Sequence, residues 1–174
     1  MNIPAFITGT VIIIAFSWLY SVKHGRFHGI PRFFAFESIY ILLLLNIRLL
    51  FRDPFSVIQA FSWIMLCLSA YVGLAGYLHL KNHGEAENGF ENTTKLVISG
   101  IYSYIRHPLY CSLILLGTGI ALKDPVLYKI LLGAVNIAAL WLTAKTEEKE
   151  MIDKFGNDYR KYMQKTKMFI PFII

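Results

Sequence analysis

An arginine, a histidine and a proline follow one another in the second half of the chain, at Arg106, His107 and Pro108. Proline is favoured in the first turn of a helix, and it biases the preceding residue away from helical backbone angles. The sequence therefore predicts a helix that begins at Pro108, with Arg106 and His107 in the turn before it. A carboxylate or phosphate bound there would meet the partly positive helix terminus, a guanidinium and an imidazole. The same pattern also fits a helix end anchored at lipid headgroups.

A pair of adjacent carboxylates, Glu147 and Glu148, is the second feature that could take part in chemistry. Adjacent carboxylates repel each other, and a nearby cation relieves that repulsion. The pair could therefore receive an ammonium group or ribose hydroxyls. The mixed acidic and basic residues from Glu147 to Lys154 also fit one solvated face of a helix.

The elements that must position these residues are membrane helices. The 174 residues are 56% hydrophobic and 16% charged, and their mean hydropathy is +0.51. This composition is more apolar than a water-soluble domain of this length needs. A helix of about 20 apolar residues crosses a bilayer and satisfies its own backbone hydrogen bonds there. We therefore expect an all-α integral membrane protein.

About five transmembrane helices and a C-terminal amphipathic helix are predicted. The five apolar stretches are approximately Ile3 to Tyr20, Phe33 to Phe51, Phe55 to His79, Pro108 to Leu122, and from the Lys123–Pro125 turn to Ala144. The first lacks the basic leader and cleavage pattern of a signal peptide, so we expect it to be retained. Thr146 to Met163 alternates charged and apolar residues, as an interfacial helix does.

The basic residues predict an orientation. A polar segment from Lys81 to Ser99 is the natural entry for a soluble ligand. The side that holds it has the larger basic set: Lys23, Arg26, Arg32, Lys81, Arg106, Lys145, Arg160, Lys161, Lys165 and Lys167. The opposite side has Arg48, Arg52, Lys123 and Lys129. By the positive-inside rule, the first side faces the cytoplasm.

Charge and cysteine content argue against two other kinds of partner. The net charge of +6 is concentrated in segments that flank the membrane, which favours contact with anionic headgroups over nucleic acid. Cys67 and Cys111 both lie in apolar stretches and are interpreted as small core residues. We therefore expect no metal site and no nucleic-acid partner.

The order of several motifs resembles a known family. Leu96-Val97 precedes Gly100-Ile101-Tyr102, then Arg106-His107-Pro108-Leu109-Tyr110, and one helix later Glu147-Glu148. The tail segments 155–162 and 169–171 continue the likeness. Together they closely resemble the membrane methyltransferases typified by isoprenylcysteine carboxyl methyltransferase, which are distantly related to the phospholipid N-methyltransferases. The match covers roughly residues 95–174, and the remainder matches only as membrane helices.

The resemblance implies one membrane methyltransferase domain over residues 1–174, with its cofactor-binding part at about 79–174. The methyl donor would be S-adenosylmethionine, and the acceptor would be lipophilic, either an isoprenylcysteine-like carboxylate or a phospholipid-like amine. The implied cofactor-binding residues are His79, Glu87, Thr94, Lys95, Leu96, Val97, Gly100, Tyr102, His107, Pro108, Leu109, Tyr110, Glu147 and Glu148. The implied catalytic residues are Glu148, His107 and Arg106.

One position departs from that family. In its carboxyl methyltransferases, an arginine four residues before the first glutamate of the pair is thought to handle the substrate carboxylate, and here that position is Thr143. This change disfavours a carboxylate acceptor and favours a phospholipid amine, a thiol or another lipophilic nucleophile. Lys145 is a poor replacement, because it lies about 200° away from Thr143 around a helix.

Two other classes of protein remain open at this stage. A sterol-type membrane reductase shares short Arg-His-Pro-like patterns but uses NADPH; the chain has no Gly-x-Gly-x-x-Gly, although such enzymes need not carry one. A non-enzymatic scaffold or transporter is the other class. Transporters usually place ionisable groups at the middle of the membrane, whereas the deep polar residues here are Asn46 and Asn136, which are expected to bond neighbouring helices.

Overall fold

The computed structural model describes residues 2–53, 55–84 and 94–171, which fold into six α-helices. These are α1 (Ile3–Tyr20), α2 (Gly29–Asn46), α3 (Val57–His83), α4 (Pro108–Ala121), α5 (Leu127–Phe155) and α6 (Asn157–Lys165). Short 3₁₀ turns cover Val22–His24, Ile47–Leu49 and Gly100–Ser103. The described part of the chain has no strand, only an isolated parallel bridge between Ile105 and Lys167.

Four helices in the described ranges are long and apolar enough to cross a membrane. They are α1, α2 with its 3₁₀ extension to Leu49, α3 and α5. The fourth helix, α4, has 14 residues and is about 21 Å long, which is shorter than a bilayer core of about 30 Å. The prediction of an all-α integral membrane protein is confirmed, and four of the five predicted spans have the required length.

Several helix boundaries differ from the prediction: α3 ends at His83 rather than His79, and the predicted helix from Thr146 to Met163 is divided between α5 and α6. Helix α2 begins at Gly29 rather than Phe33, because Pro31 lies in its first turn, where a missing N–H costs no hydrogen bond. The predicted end of the fifth helix near Ala144 is wrong: α5 continues to Phe155 and ends at Gly156, whose φ is 58°. Both glutamates of the pair therefore lie on one continuous helix.

Helix α4 packs against α2, α3 and α5, and α2 also packs against α1 and α5. The two deep asparagines bond neighbouring helices, as expected. Asn136 on α5 donates to the carbonyl of Ala35 on α2 at 3.1 Å, and Asn46 on α2 accepts from Lys129 Nζ on α5 at 2.9 Å. These polar contacts join α2 and α5 inside an otherwise apolar interface.

Glycines allow the close approach of α4 to its neighbours. A Cβ at Gly76 on α3 would lie 3.1 Å from Pro108 Cγ, so Gly76 lets α3 contact the start of α4. A Cβ at Gly117 on α4 would lie 2.5 Å from Asn136 Oδ1 on α5. The latter distance leaves no room for a side chain.

We expect Gly117→Ala to lower the free energy of unfolding by about 1–3 kcal/mol, as overpacking of a filled interior does. The matched control is Gly133→Ala on α5, whose Cβ would lie 3.5 Å from Ala121 Cβ, an ordinary contact. Denaturant unfolding of the detergent-solubilised protein measures both variants. Equal stability of the two variants would contradict the packing of α4 against α5.

Candidate active site

The turn before α4 is held by the C-terminal tail. Helix α4 begins at Pro108, as predicted, and His107 precedes it with φ −123° and ψ 62°. The Arg106 N–H donates to the Lys167 carbonyl at 2.8 Å, and the His107 N–H donates to the Met168 carbonyl at 3.1 Å. The backbone of the turn is therefore fixed by residues about 60 positions away in the sequence.

Arg106 and Glu148 form a buried ion pair. Arg106 Nε and Nη2 each lie 2.8 Å from Glu148 Oε1, and the two side chains are only 9% and 4% exposed. Arg106 Nη1 also donates to the carbonyls of Met163 and Thr166 at the end of α6. The guanidinium thus connects α5 to the end of α6.

His107 lies between the two glutamates. Its Nδ1 is 3.7 Å from Glu147 Oε2, and its Nε2 is 3.6 Å from Glu148 Oε1. Both distances exceed a hydrogen bond, and the buried Nε2 has no hydrogen-bond partner among the described residues. The ring stacks on Tyr110, with centroids 5.5 Å apart. The turn before α4 and the glutamate pair, which the resemblance implies bind one cofactor, therefore lie together in the structure.

The two glutamates differ in their surroundings. Glu148 is enclosed by cations, because Lys145 Nζ lies 3.5 Å from its second oxygen in addition to Arg106. Glu147 is 27% exposed and lines a cavity, whereas Glu148 does not. Glu147 is therefore the carboxylate of the pair that a molecule in the cavity would meet.

The cavity has a volume of about 320 Å³, within the range of small-molecule sites. Among the residues selected from the sequence, it is lined by Leu96, Val97, Tyr102, Arg106, His107, Pro108, Leu109, Tyr110 and Glu147. The rest of its lining did not emerge from the sequence: Arg32, Phe36, Tyr77, Leu80, Ser112, Leu113, Met151, Phe155, Tyr159 and Tyr162. Five helices and the turn before α4 thus contribute to one site.

Other predicted cofactor residues lie outside this lining. They are His79, Thr94, Lys95, Gly100 and Glu148, and Glu87 falls outside the described residues. His79 Nε2 shares a hydrogen bond of 2.9 Å with Ser99 Oγ, and its ring stacks on Tyr102. Gly100 has φ 59°, and a Cβ there would lie 2.5 Å from His79 Cε1. His79 and Gly100 therefore shape the turn that presents Tyr102.

Tyr102, Tyr159 and Tyr162 are buried tyrosines that line the cavity. Tyr162 Oη donates to the Tyr102 carbonyl at 2.6 Å, which joins α6 to the 3₁₀ turn before α4. Burial raises the pKa of Tyr102, and the negative charge of Glu147 raises it further. Burial and Glu147 raise the pKa of Tyr159 in the same way. Both hydroxyls therefore stay protonated at neutral pH.

Residues 57–158, more than half of the chain, match the model of the phospholipid methyltransferase family. The chain belongs to this family. It is 28% identical over 117 residues to methanethiol S-methyltransferase 1 of Bradyrhizobium diazoefficiens, which covers 63% of this chain and 39% of that protein. These findings confirm the predicted likeness to membrane methyltransferases.

Two eukaryotic relatives are both named protein-S-isoprenylcysteine O-methyltransferase. The chain is 31% identical over 93 residues to the human protein-S-isoprenylcysteine O-methyltransferase, which covers 50% of this chain and 31% of that one. It is 29% identical over 123 residues to the protein of that name from Schizosaccharomyces pombe. That alignment covers 68% of this chain and 52% of the relative. The chain thus spans about half or less of the length of these relatives.

We expect Arg106→Gln to lower the free energy of unfolding, because it leaves the Glu148 carboxylate buried without its guanidinium partner. Breaking such a pair costs about 3–5 kcal/mol, and the lower end is expected since Lys145 remains close. Exposed Arg160→Gln on α6 is the matched control and should change stability by about 0.5 kcal/mol or less. Chemical denaturation in detergent compares them. A loss no larger than that of the control would refute the structural role of the pair.

Proposed function

We propose that this chain is a membrane methyltransferase with S-adenosylmethionine as methyl donor and a lipophilic molecule as acceptor. The observation that carries the proposal is the single cavity at which the His107 turn, the start of α4 and Glu147 meet. Membership of the phospholipid methyltransferase family favours methyl transfer over an NADPH-dependent reductase or a non-enzymatic scaffold or transporter.

The residues of the cavity fit the charges of S-adenosylmethionine. Glu147 offers a carboxylate to the positively charged sulfonium or ammonium group. Leu109 lines the cavity in the first turn of α4, and the partial positive charge of this helix N-terminus attracts a carboxylate. Arg106, by contrast, is engaged with Glu148, which supports a positioning role for both of these residues.

The contribution of the protein would be alignment of the reactants and exclusion of water. S-adenosylmethionine supplies a methyl group on a cationic sulfur, and the electron pair of the broken sulfur–methyl bond stays on that sulfur. Well-oriented reactants can gain about 7–11 kcal/mol from proximity. Apolar lining from Phe36, Leu113 and Phe155 would exclude water and receive the apolar part of the acceptor.

An amine or thiol acceptor must also lose a proton as its bond to the methyl group forms. We assign that proton to His107, a residue that lines the cavity and whose buried Nε2 makes no hydrogen bond to the described residues. Glu148 is a weaker candidate, because Arg106 and Lys145 stabilise its charged form. A carboxylate acceptor has no proton to lose and would not require a base.

The relatives suggest three acceptor classes: phospholipids, isoprenylcysteine carboxylates and small thiols. The apolar lining of the cavity and the membrane-spanning helices favour an acceptor that enters from the lipid. The cavity-lining Arg32 and Arg106 belong to the larger basic set of the sequence, which favours a cytoplasmic position for the site.

We expect Glu147→Gln to weaken the binding of S-adenosylmethionine by about 10- to 150-fold, the loss that follows removal of a charged hydrogen-bonding partner. Asp153→Asn is the matched control, because it removes one negative charge from an exposed position on the same helix. Titration calorimetry in detergent measures both affinities. An affinity of Glu147→Gln equal to that of the control would refute the cofactor site.

We expect membranes that contain the protein to transfer label from methyl-labelled S-adenosylmethionine to a component of a lipid extract, which mass analysis identifies. His107→Ala should lower the rate by about 10²–10⁴-fold for an amine or thiol acceptor, the usual contribution of a general base. His83→Ala, in the last turn of α3 and outside the cavity lining, is the control. Oxidation of NADPH without methyl transfer would support a reductase instead.

A further inference from the structure

A buried arginine from α2 lines the same cavity as Glu147. Arg32 is 1% exposed, although it lies within a helix apolar enough to span a membrane. Arg32 is only the fourth residue of α2, where an arginine side chain can ordinarily extend to the water boundary, so its burial against the cavity is the unusual feature. The sequence predicts that the second helix begins at about Phe33, which leaves Arg32 in the preceding loop. A basic residue is common in a loop that flanks a membrane helix.

Neighbouring residues hold the guanidinium in one orientation. Arg32 Nη2 donates to Ser21 Oγ, and the guanidinium carbon lies 5.3 Å from the ring centroid of Phe16 and 5.9 Å from that of Phe36. Gly29 makes this arrangement possible, because a Cβ there would lie 2.5 Å from Ser21 Cβ. The absence of a side chain at Gly29 therefore keeps the Ser21 hydroxyl within reach of Arg32.

Several apolar residues line the same cavity as Arg32, and one of them, Phe36, contacts its guanidinium. Phe36 lies one turn further along α2, and Met151 and Phe155, one turn apart on α5, line the same cavity. Hydrogen bonds between a guanidinium and a carboxylate or phosphate are strong, and a water-poor apolar wall strengthens them further. Arg32 thus offers a site for an acidic group attached to an apolar chain.

We propose that Arg32 recognises an acidic group, a carboxylate or a phosphate, on an amphiphilic acceptor. This inference rests on the proposed function. It assigns two of the charged residues that line the cavity to different molecules: Glu147 faces the cationic methyl donor and Arg32 faces the anionic acceptor, while Arg106 is paired with Glu148. The position is distinct from Thr143, so the cation for the acceptor comes from α2 rather than from the helix that carries the glutamate pair.

The test compares methyl transfer to three acceptors by the full chain in proteoliposomes. The acceptors are an N-acetylated S-prenylcysteine with a free carboxylate, a phosphatidylethanolamine, and uncharged decanethiol. Arg32→Gln should raise the KM of at least one acidic acceptor by about 10- to 100-fold, the factor expected for one charge-assisted pair. The acceptor whose KM rises shows whether Arg32 recognises a carboxylate or a phosphate. Arg32→Lys should restore part of the loss.

Controls separate recognition from folding and from the cofactor site. Arg32→Gln should leave the affinity for S-adenosylmethionine and the KM for decanethiol within about twofold, as one expects if its charge acts on the acidic group alone. Exposed Arg48→Gln, just after α2, should leave all three KM values unchanged. Unchanged KM values for both acidic acceptors in Arg32→Gln would overturn the proposal.

The unmodified protein gives a second test, should Arg32→Gln fail to fold. Dodecanoate or dodecyl phosphate should inhibit decanethiol methylation at concentrations at least 10-fold lower than uncharged dodecanamide does. Equal inhibition by all three compounds would overturn the proposed role of Arg32 but would leave the proposed methyltransferase activity unaffected. Absence of both cofactor binding and transfer to any acceptor would instead refute the proposed function, and this inference with it.

Discussion

The ion pair between Arg106 and Glu148 is the contact on which the geometry of the site depends. It joins the turn before α4 to α5, and through Arg106 Nη1 it also reaches the carbonyls at the end of α6. A buried pair of this kind adds little net stability, since both charges lose their hydration. Its main consequence is positional, because neither partner can move without leaving the other charge buried and unpaired.

The position of His107 follows from that pair. Its backbone is held by the tail residue Met168, and its ring lies between Glu147 and Glu148 against Tyr110. Glu148 pairs with Arg106 and Lys145, so Glu147 is the carboxylate of the two that faces the cavity. Two adjacent acidic residues thus have different surroundings, because successive residues on a helix point in different directions.

The lengths of the helices create the space that these residues surround. Helix α4 has 14 residues, whereas α3 and α5 on either side have 27 and 29. The cavity is lined by the first residues of the short helix and by residues near the C-terminal ends of both long ones, such as Leu80 and Phe155. Helix α6 and the tail then close over the start of α4 through Tyr162 and Arg106.

Local features of this protein could be derived from the sequence alone. The apolar stretches, the helix start at Pro108 and the importance of the Arg106–His107 turn and the glutamate pair depend on residues that are close in sequence. Only the tertiary structure shows that Arg32 lines the cavity and that His79 and Gly100 do not. It also shows that Arg106 pairs with Glu148. These outcomes depend on contacts between helices, such as Gly29 against Ser21, that no local pattern encodes. Helical periodicity predicts which residues share a face, but the neighbour of that face is determined by packing.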